Sequence, residues 1–167
     1  MASTDVTIRR AQRRDLGALG QLGATLLRVH HAFDPARFMA PGPDPAGGYA
    51  WFLGTQLTKR DARVFVAERD GVVVGYVYAA VEPQSWKELR DEAGFIHDVL
   101  VDESARGAGV ASALLEAAIG WLQGRGVPRV VLWTAHANEP AHRLFERLGF
   151  RPTMIEMTKE LSRTNAG

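Results

Sequence analysis

The 167-residue chain contains no cysteine, which removes disulfide frameworks, thiolate nucleophiles and Cys-ligated zinc together. Any thiol chemistry has to arrive with a ligand. An excess of charge of one sign is missing too: 20 Lys and Arg stand against 19 Asp and Glu, a net charge of +1. The clustered basic surplus of a nucleic-acid binder is therefore absent, and nucleic acid is excluded as the main partner. Long hydrophobic runs are missing as well. The longest, Val72 to Val81, falls far short of the roughly 20 residues that span a bilayer, so no membrane role is expected. The opening residues MASTDVTIRRAQRRDL carry charges where a secretion signal needs an apolar stretch, which predicts a cytoplasmic location. What remains, 46% hydrophobic and 23% charged residues without a repeat or low-complexity tract, reads as one domain over residues 1–167.

The local patterns predict an α/β fold. Val6 and Ile8 alternate in an opening strand, and Leu16, Leu19, Leu22, Leu26 and Leu27 recur at helical spacing within residues 12–33. Gly17, Gly20 and Gly23 form a row on that helix at about 1 kcal/mol each relative to Ala, which close packing or local looseness explains. Pro35, Pro41, Pro43 and Pro45 make residues 34–48 a long irregular loop, and a short helix follows at 49–59. Residues 63–68 and 72–81 flank Asp70-Gly71 as a hairpin. Residues 95–101 form a third strand, and Val110, Leu114, Ala117, Ala118 and Trp121 stripe a helix over 107–125. Residues 129–134 read as a strand covered on both faces. Asn138 caps a helix with Ala141, Leu144, Phe145 and Leu148 inward and Gly149 closing it. A last strand, 153–161, alternates and completes a mixed sheet.

The strand, glycine turn and helix at the centre carry the chemistry. An anion site needs backbone N–H groups free to converge, which glycine permits, and a helix N-terminus adds favourable potential. Arg106-Gly107-Ala108-Gly109-Val110-Ala111 supplies both, with Arg106 available for a charge-assisted contact. A dinucleotide fold would require an acidic residue at the end of the next strand, which instead reads Trp133-Thr134-Ala135. A P-loop would require Lys and Ser/Thr after its second glycine, and these are missing.

Arg106, Gly109 and Ala111, followed by Asn138, Ala141, Leu144 and Leu148-Gly149-Phe150, resemble the two ordered motifs of the GNAT superfamily of N-acetyltransferases. The motif match covers about residues 95–150, and the order of elements agrees over about 5–161. The resemblance implies a mixed, mostly antiparallel central sheet flanked by helices, with residues 12–60 as the region varied for substrate. It also implies acetyl-CoA as acetyl donor and a small-molecule or peptide amine as acceptor. The N–H groups of Arg106 to Ala111 would hold the pyrophosphate, while Leu100, Val101 and Asn138 would contact the pantetheine arm. A gap between the strands at 95–101 and 129–135 would take the thioester. Assembly as a homodimer is left open.

Direct transfer to an amine needs a proton acceptor, because alkyl amines titrate near ~10.4. His97 and Asp98 are the candidates, and strand periodicity sends adjacent side chains to opposite faces, so one of the two faces the acetyl group. His97 is preferred slightly. Phe145 occupies the position where the family carries a tyrosine acid, and it either joins the core stripe or lines the cofactor. That departure motivates an alternative, a non-catalytic acyl-CoA-binding module. Tandem His30 and His31 point about 100° apart on a helix, so no metal site is expected. Trp51, Trp86 and Trp133 read as packing residues, Trp133 being the best pocket candidate, and Arg9, Arg10, Arg13 and Arg14 as a solvated edge.

Overall fold

The computed structural model describes residues 5–162. A five-stranded sheet runs in the order β1 (Thr7–Arg10), β2 (Ala62–Arg69), β3 (Val72–Glu82), β4 (Ala93–Val101), β5 (Val130–Leu132), antiparallel except for the parallel β4–β5 pair. The turn at Asp70-Gly71, both at positive φ, closes the β2–β3 hairpin. Helices α1 (Leu16–Phe33) and α2 (Pro45–Gln56) cover one face, and α3 (Val110–Gly124) and α4 (Glu139–Arg147) cover the other. Each face has its own core. Tyr76, Leu19 and Leu53 are buried on the first, and Leu114, Leu115 and Leu122 on the second. Each buried leucine contributes roughly 1.5–3 kcal/mol.

The small-residue row on α1 is a packing device. A Cβ on Gly20 would lie 2.4 Å from the backbone oxygen of Ala46, and one on Gly23 would lie 2.0 Å from the Tyr49 ring. Those two glycines let α2 lie directly against α1 and seat Tyr49 between the helix and the sheet. Helix α2 begins earlier than the proline pattern implied. Pro45 occupies its first turn, where no N–H partner is needed, and Asp44 caps it by accepting from the Gly47 N–H at 2.9 Å.

Two further expectations are corrected. Arg9 is not a solvated edge residue: its guanidinium donates to both carboxylate oxygens of Asp15 at 2.8 Å and to Glu68 at 2.6 Å. Asp15 is only 5% exposed and also accepts from the Gln12 N–H, and the Arg9 contacts hold its carboxyl below the usual carboxylate range. The last strand does not form in this molecule. Residues 151–162 carry no regular secondary structure, pair with no strand of the sheet and remain exposed.

Candidate functional site

The site begins at the end of β5. Pairing between β4 and β5 covers only Gly94–Val130, Phe95–Val131 and Ile96–Leu132. Beyond Ile96 the two strands part, so the edge of β4 from His97 to Val101 is open on the β5 side while its other edge stays paired to β3. This is the gap anticipated between the two strands, and its β5 side is shorter than residues 129–135.

A bulge decides what faces the gap. The β3–β4 register steps from Tyr78–Asp98 to Ala79–Ile96, which leaves His97 as the extra residue. The alternation is therefore broken between His97 and Asp98. Both side chains lie on the α1/α2 face: the His97 ring stacks 5.0 Å from Tyr78 and 5.5 Å from Phe95, and Asp98 meets Tyr49 and Tyr76. The expectation of opposite faces fails for that reason.

The two residues nevertheless have different surroundings. The Tyr49 hydroxyl donates to Asp98 Oδ2 at 2.6 Å and the Tyr76 hydroxyl donates to the same oxygen at 3.3 Å. Burial pushes the Asp98 carboxyl up, against the lowering effect of those two donors. Burial and the nearby carboxylate push the hydroxyls of Tyr49 and Tyr76 up as well, and Tyr78 is pushed up to about 12, chiefly by burial. All three tyrosines are thereby kept as neutral donors. Asp98 is thus an internal anchor that ties α2 to the sheet through Tyr49.

His97 is partly open, with 34% of its side chain exposed, and its Nε2 lies 2.8 Å from Glu82 Oε1. A carboxylate only accepts, so Nε2 is the donor of this pair, and in the neutral ring Nδ1 carries the lone pair. Glu82, at the end of β3, was not singled out from sequence. Its partnership depends on strand register, and the spacing of 15 residues carries no local signal. Tyr49 and Tyr76 escaped notice for the same reason, although the glycine at 23 marks where Tyr49 inserts.

At the other end of the open edge lies the glycine turn. Asp102 accepts from the Ser104 N–H at 3.0 Å and starts a single turn of 3-10 helix, Glu103–Ala105. The Arg106 Nε then donates to the Val101 carbonyl at 3.2 Å. Gly107 and Gly109 have φ of 81° and 74°, a region that disfavours residues with a Cβ. Gly109 is the N-cap of α3 and offers no side chain, so the first-turn N–H groups of α3 have no cap. A Cβ at either glycine would meet nothing within 4 Å. The glycines are needed for backbone conformation, and the space above the turn is free for an anion.

Other singled-out residues lie elsewhere. Leu100 and Val101 are buried on opposite faces of the sheet, so only their main chain borders the gap. Asn138 accepts from the Ala141 N–H at 3.3 Å as the cap of α4. Phe145 is buried in the α3-side core, edge-on to Phe150 at 6.0 Å. His142 contacts the Ala135 carbonyl at 2.9 Å, and His30 Nδ1 the Leu26 carbonyl at 3.0 Å. Trp51, Trp86 and Trp133 are exposed rather than packed inside, and Trp133 touches Phe95 edge-on at 6.1 Å beside the gap. Among the described residues no group of three or more His, Asp or Glu is placed to hold a metal ion, and no helix is long and apolar enough to cross a membrane.

Comparison with known proteins agrees with this architecture. Residues 26–150 match the model of the acetyltransferase (GNAT) family. A mycothiol acetyltransferase from Thermomonospora curvata is 39% identical over 96 residues, 58% of this chain and 30% of that protein. One from Cellulomonas flavigena is 36% identical over 127 residues, 73% of this chain and 31% of that protein. The chain therefore spans less than a third of the length of these curated relatives. An aminoglycoside N-acetyltransferase solved in complex with CoA superposes with a TM-score of 0.72 at 21% identity, covering 94% of this chain and 95% of that one. A protein from Bacillus halodurans described as a transcriptional regulator gives 0.73 at 24%, covering 94% and 100%. These two likenesses establish the fold.

Proposed function

Because the chain belongs to the GNAT acetyltransferase family, we propose that it moves an acetyl group from acetyl-CoA to a primary amine on a small molecule or peptide. The observation that carries this reading is the open edge of β4, with a histidine–carboxylate pair at one end and an uncapped glycine turn at the other. Residues Arg106 to Ala111 fit a pyrophosphate: their N–H groups sit at a helix start, the turn is exposed, and nothing crowds the glycines. Leu100 and Val101 would meet the pantetheine arm through their main chain, and Asn138 through whatever its capping role leaves free.

Acetyl-CoA supplies an activated acetyl thioester. The chain's own part is to position the amine and take its proton. His97 does this through Nδ1, since Glu82 holds the Nε2 proton and stabilises the imidazolium that forms. Asp98 acts behind it, holding Tyr49 and the acceptor-side helix in place. Main-chain N–H groups of the open edge stabilise the developing oxyanion. Phe145 offers no proton, and free thiols titrate near ~8.5, so water suffices for the leaving thiolate.

The test is thiol release from acetyl-CoA across a panel of amines, read with a thiol-reactive dye. A chain without cysteine contributes no background. Amine-dependent release is expected. The burial of Phe145 favours a second reading, a non-catalytic acyl-CoA-binding module, which gives CoA binding without release for any amine.

A further inference from the structure

The end of the sheet farthest from the glycine turn carries a cluster of arginines that acetyl transfer does not use. Arg10, at the end of β1, pairs with Phe65 of β2, and Arg63 stands two residues before Phe65 on the same face. Phe65 packs into the α3-side core, so this is the face that α3 covers. There the Arg63 guanidinium lies over the Trp121 ring of α3, 5.3 Å from its centroid, and Arg125 lies 5.7 Å from the same centroid. Among the described residues only Arg125 of the three makes an ion pair, donating to Asp61 Oδ1 at 2.5 Å. The Nε of Arg63 is the one buried side-chain nitrogen or oxygen among them without a hydrogen-bond partner. Burial, and then the charges of Arg10 and Arg125, hold the Arg63 guanidinium below its ordinary value.

Three cations with one counter-charge and an unmade buried donor work against stability. A bound anion reverses that balance, and there is room for one. An open cleft of about 320 Å³ adjoins the cluster, lined by Arg10, Gln12, Arg13 and Thr58 together with Ala11 and Leu57. Arg10 belongs to both the cleft and the cluster, which makes the two continuous, and Arg13 adds a further cation to the wall.

We propose that this end of the sheet is a second anion site, which takes a phosphate group, free or as the ester of a small molecule, between the guanidinium groups of Arg10 and Arg63. Guanidinium forks match a tetrahedral oxyanion with paired N–H donors, and a dianion balances two of the cations. Stacking on Trp121 holds the Arg63 fork in place before the ligand arrives, so little side-chain freedom is lost on binding. The site is separate from the glycine turn. The 15 residues of α3 lie between Gly109 and Arg125, about 22 Å at 1.5 Å per residue.

Thermal unfolding in inorganic phosphate, against chloride at equal ionic strength and without acetyl-CoA, tests this independently of catalysis. At about 20 mM phosphate the Tm of the parent is expected to rise by roughly 3–6 °C relative to chloride. Arg10→Gln and Arg63→Gln should each lose that rise, whereas Gly109→Asp, which removes the other candidate anion site, should keep it. Arg10 is exposed, so Arg10→Gln decides the matter even if Arg63→Gln fails to fold. Glycerol phosphate in place of inorganic phosphate distinguishes the two sources, and a rise with either one that depends on Arg10 supports the site. A parent that responds to neither beyond chloride overturns the proposal. A rise that survives Arg10→Gln, or one that disappears in folded Gly109→Asp, also overturns it, the latter by assigning the anion to the glycine turn.

Discussion

Gly23→Ala is the substitution whose sign depends most directly on the geometry. As a helix-interior change it should gain about 1 kcal/mol of propensity. The structure places an opposing cost there: the new Cβ would lie 2.0, 2.2 and 2.6 Å from three atoms of the Tyr49 ring, whereas carbon atoms prefer about 3.5–4.0 Å. The ring must withdraw by more than an ångström, an overpacking cost of about 1–3 kcal/mol. That withdrawal also breaks the 2.6 Å hydrogen bond to Asp98, worth about 1.5–3 kcal/mol for an ionised acceptor. The cost wins, with a net loss near 3 kcal/mol and a Tm lower by roughly 6–12 °C for a domain of this size. Gly120→Ala is the internal control. It lies within α3 with nothing within 4 Å of its Cβ position, so it should raise stability by about 1 kcal/mol. Urea melts followed by circular dichroism compare the two. If both variants shift in the same direction, or Gly23→Ala is neutral, the α1–α2 contact and the Tyr49 anchor are misassigned.

His97→Ala should lower kcat/KM by roughly 10²–10⁴, with part restored by added imidazole, while Glu82→Gln should cost less because the ring keeps its own base. Equal activity of His97→Ala and the parent would remove His97 from the mechanism. Asp15→Asn should lose about 2 kcal/mol at neutral pH through its charged hydrogen bonds with Arg9. Asp15 is depressed in the folded state, so its contribution is present above the ordinary carboxylate value and fades as pH falls below it, which urea melts from neutral to acid pH will show. Asp98 has the opposite sign. Its folded carboxyl is raised by burial, so the native state holds the proton longer and loses stability as pH rises from about 3.9 through the raised value. Asp98→Asn, which still accepts from Tyr49, should gain stability relative to the parent across that window and then level off; a difference independent of pH contradicts the burial assignment.

What was legible in the sequence was what local chemistry determines. The strand, glycine turn and helix from β4 to α3 needed only a β-rich run, two glycines and a helical stripe, and they stand where the pattern put them. The Asn138 cap and the Gly149 stop are local in the same way. Features set by register or by distant partners were not legible. The bulge at His97 reverses the facing of one residue through pairing with β3, and the Glu82 contact exists only because of that pairing. Arg9 reads as one more surface arginine until β2 brings Glu68 beside it. The segment 153–161 has a strand's alternation, but alternation specifies a face and names no partner. Prolines were read as breakers at 45, although a helix start accepts one. His97 and Asp98 stand side by side in the sequence with nothing to tell them apart, and only the fold shows that Asp98 is enclosed by Tyr49 and Tyr76 while His97 stays partly open.

Calorimetric titration of CoA into the parent and Gly109→Asp tests the proposal that Arg106 to Ala111 hold the pyrophosphate of the acyl carrier. Gly109 sits at φ 74° at the uncapped start of α3, so an aspartate there both strains the turn and sets a negative charge at the proposed phosphate position. Measurable CoA binding by the parent and none by the variant is expected, with the variant's helix content preserved. A folded Gly109→Asp protein that binds CoA as tightly as the parent would contradict it.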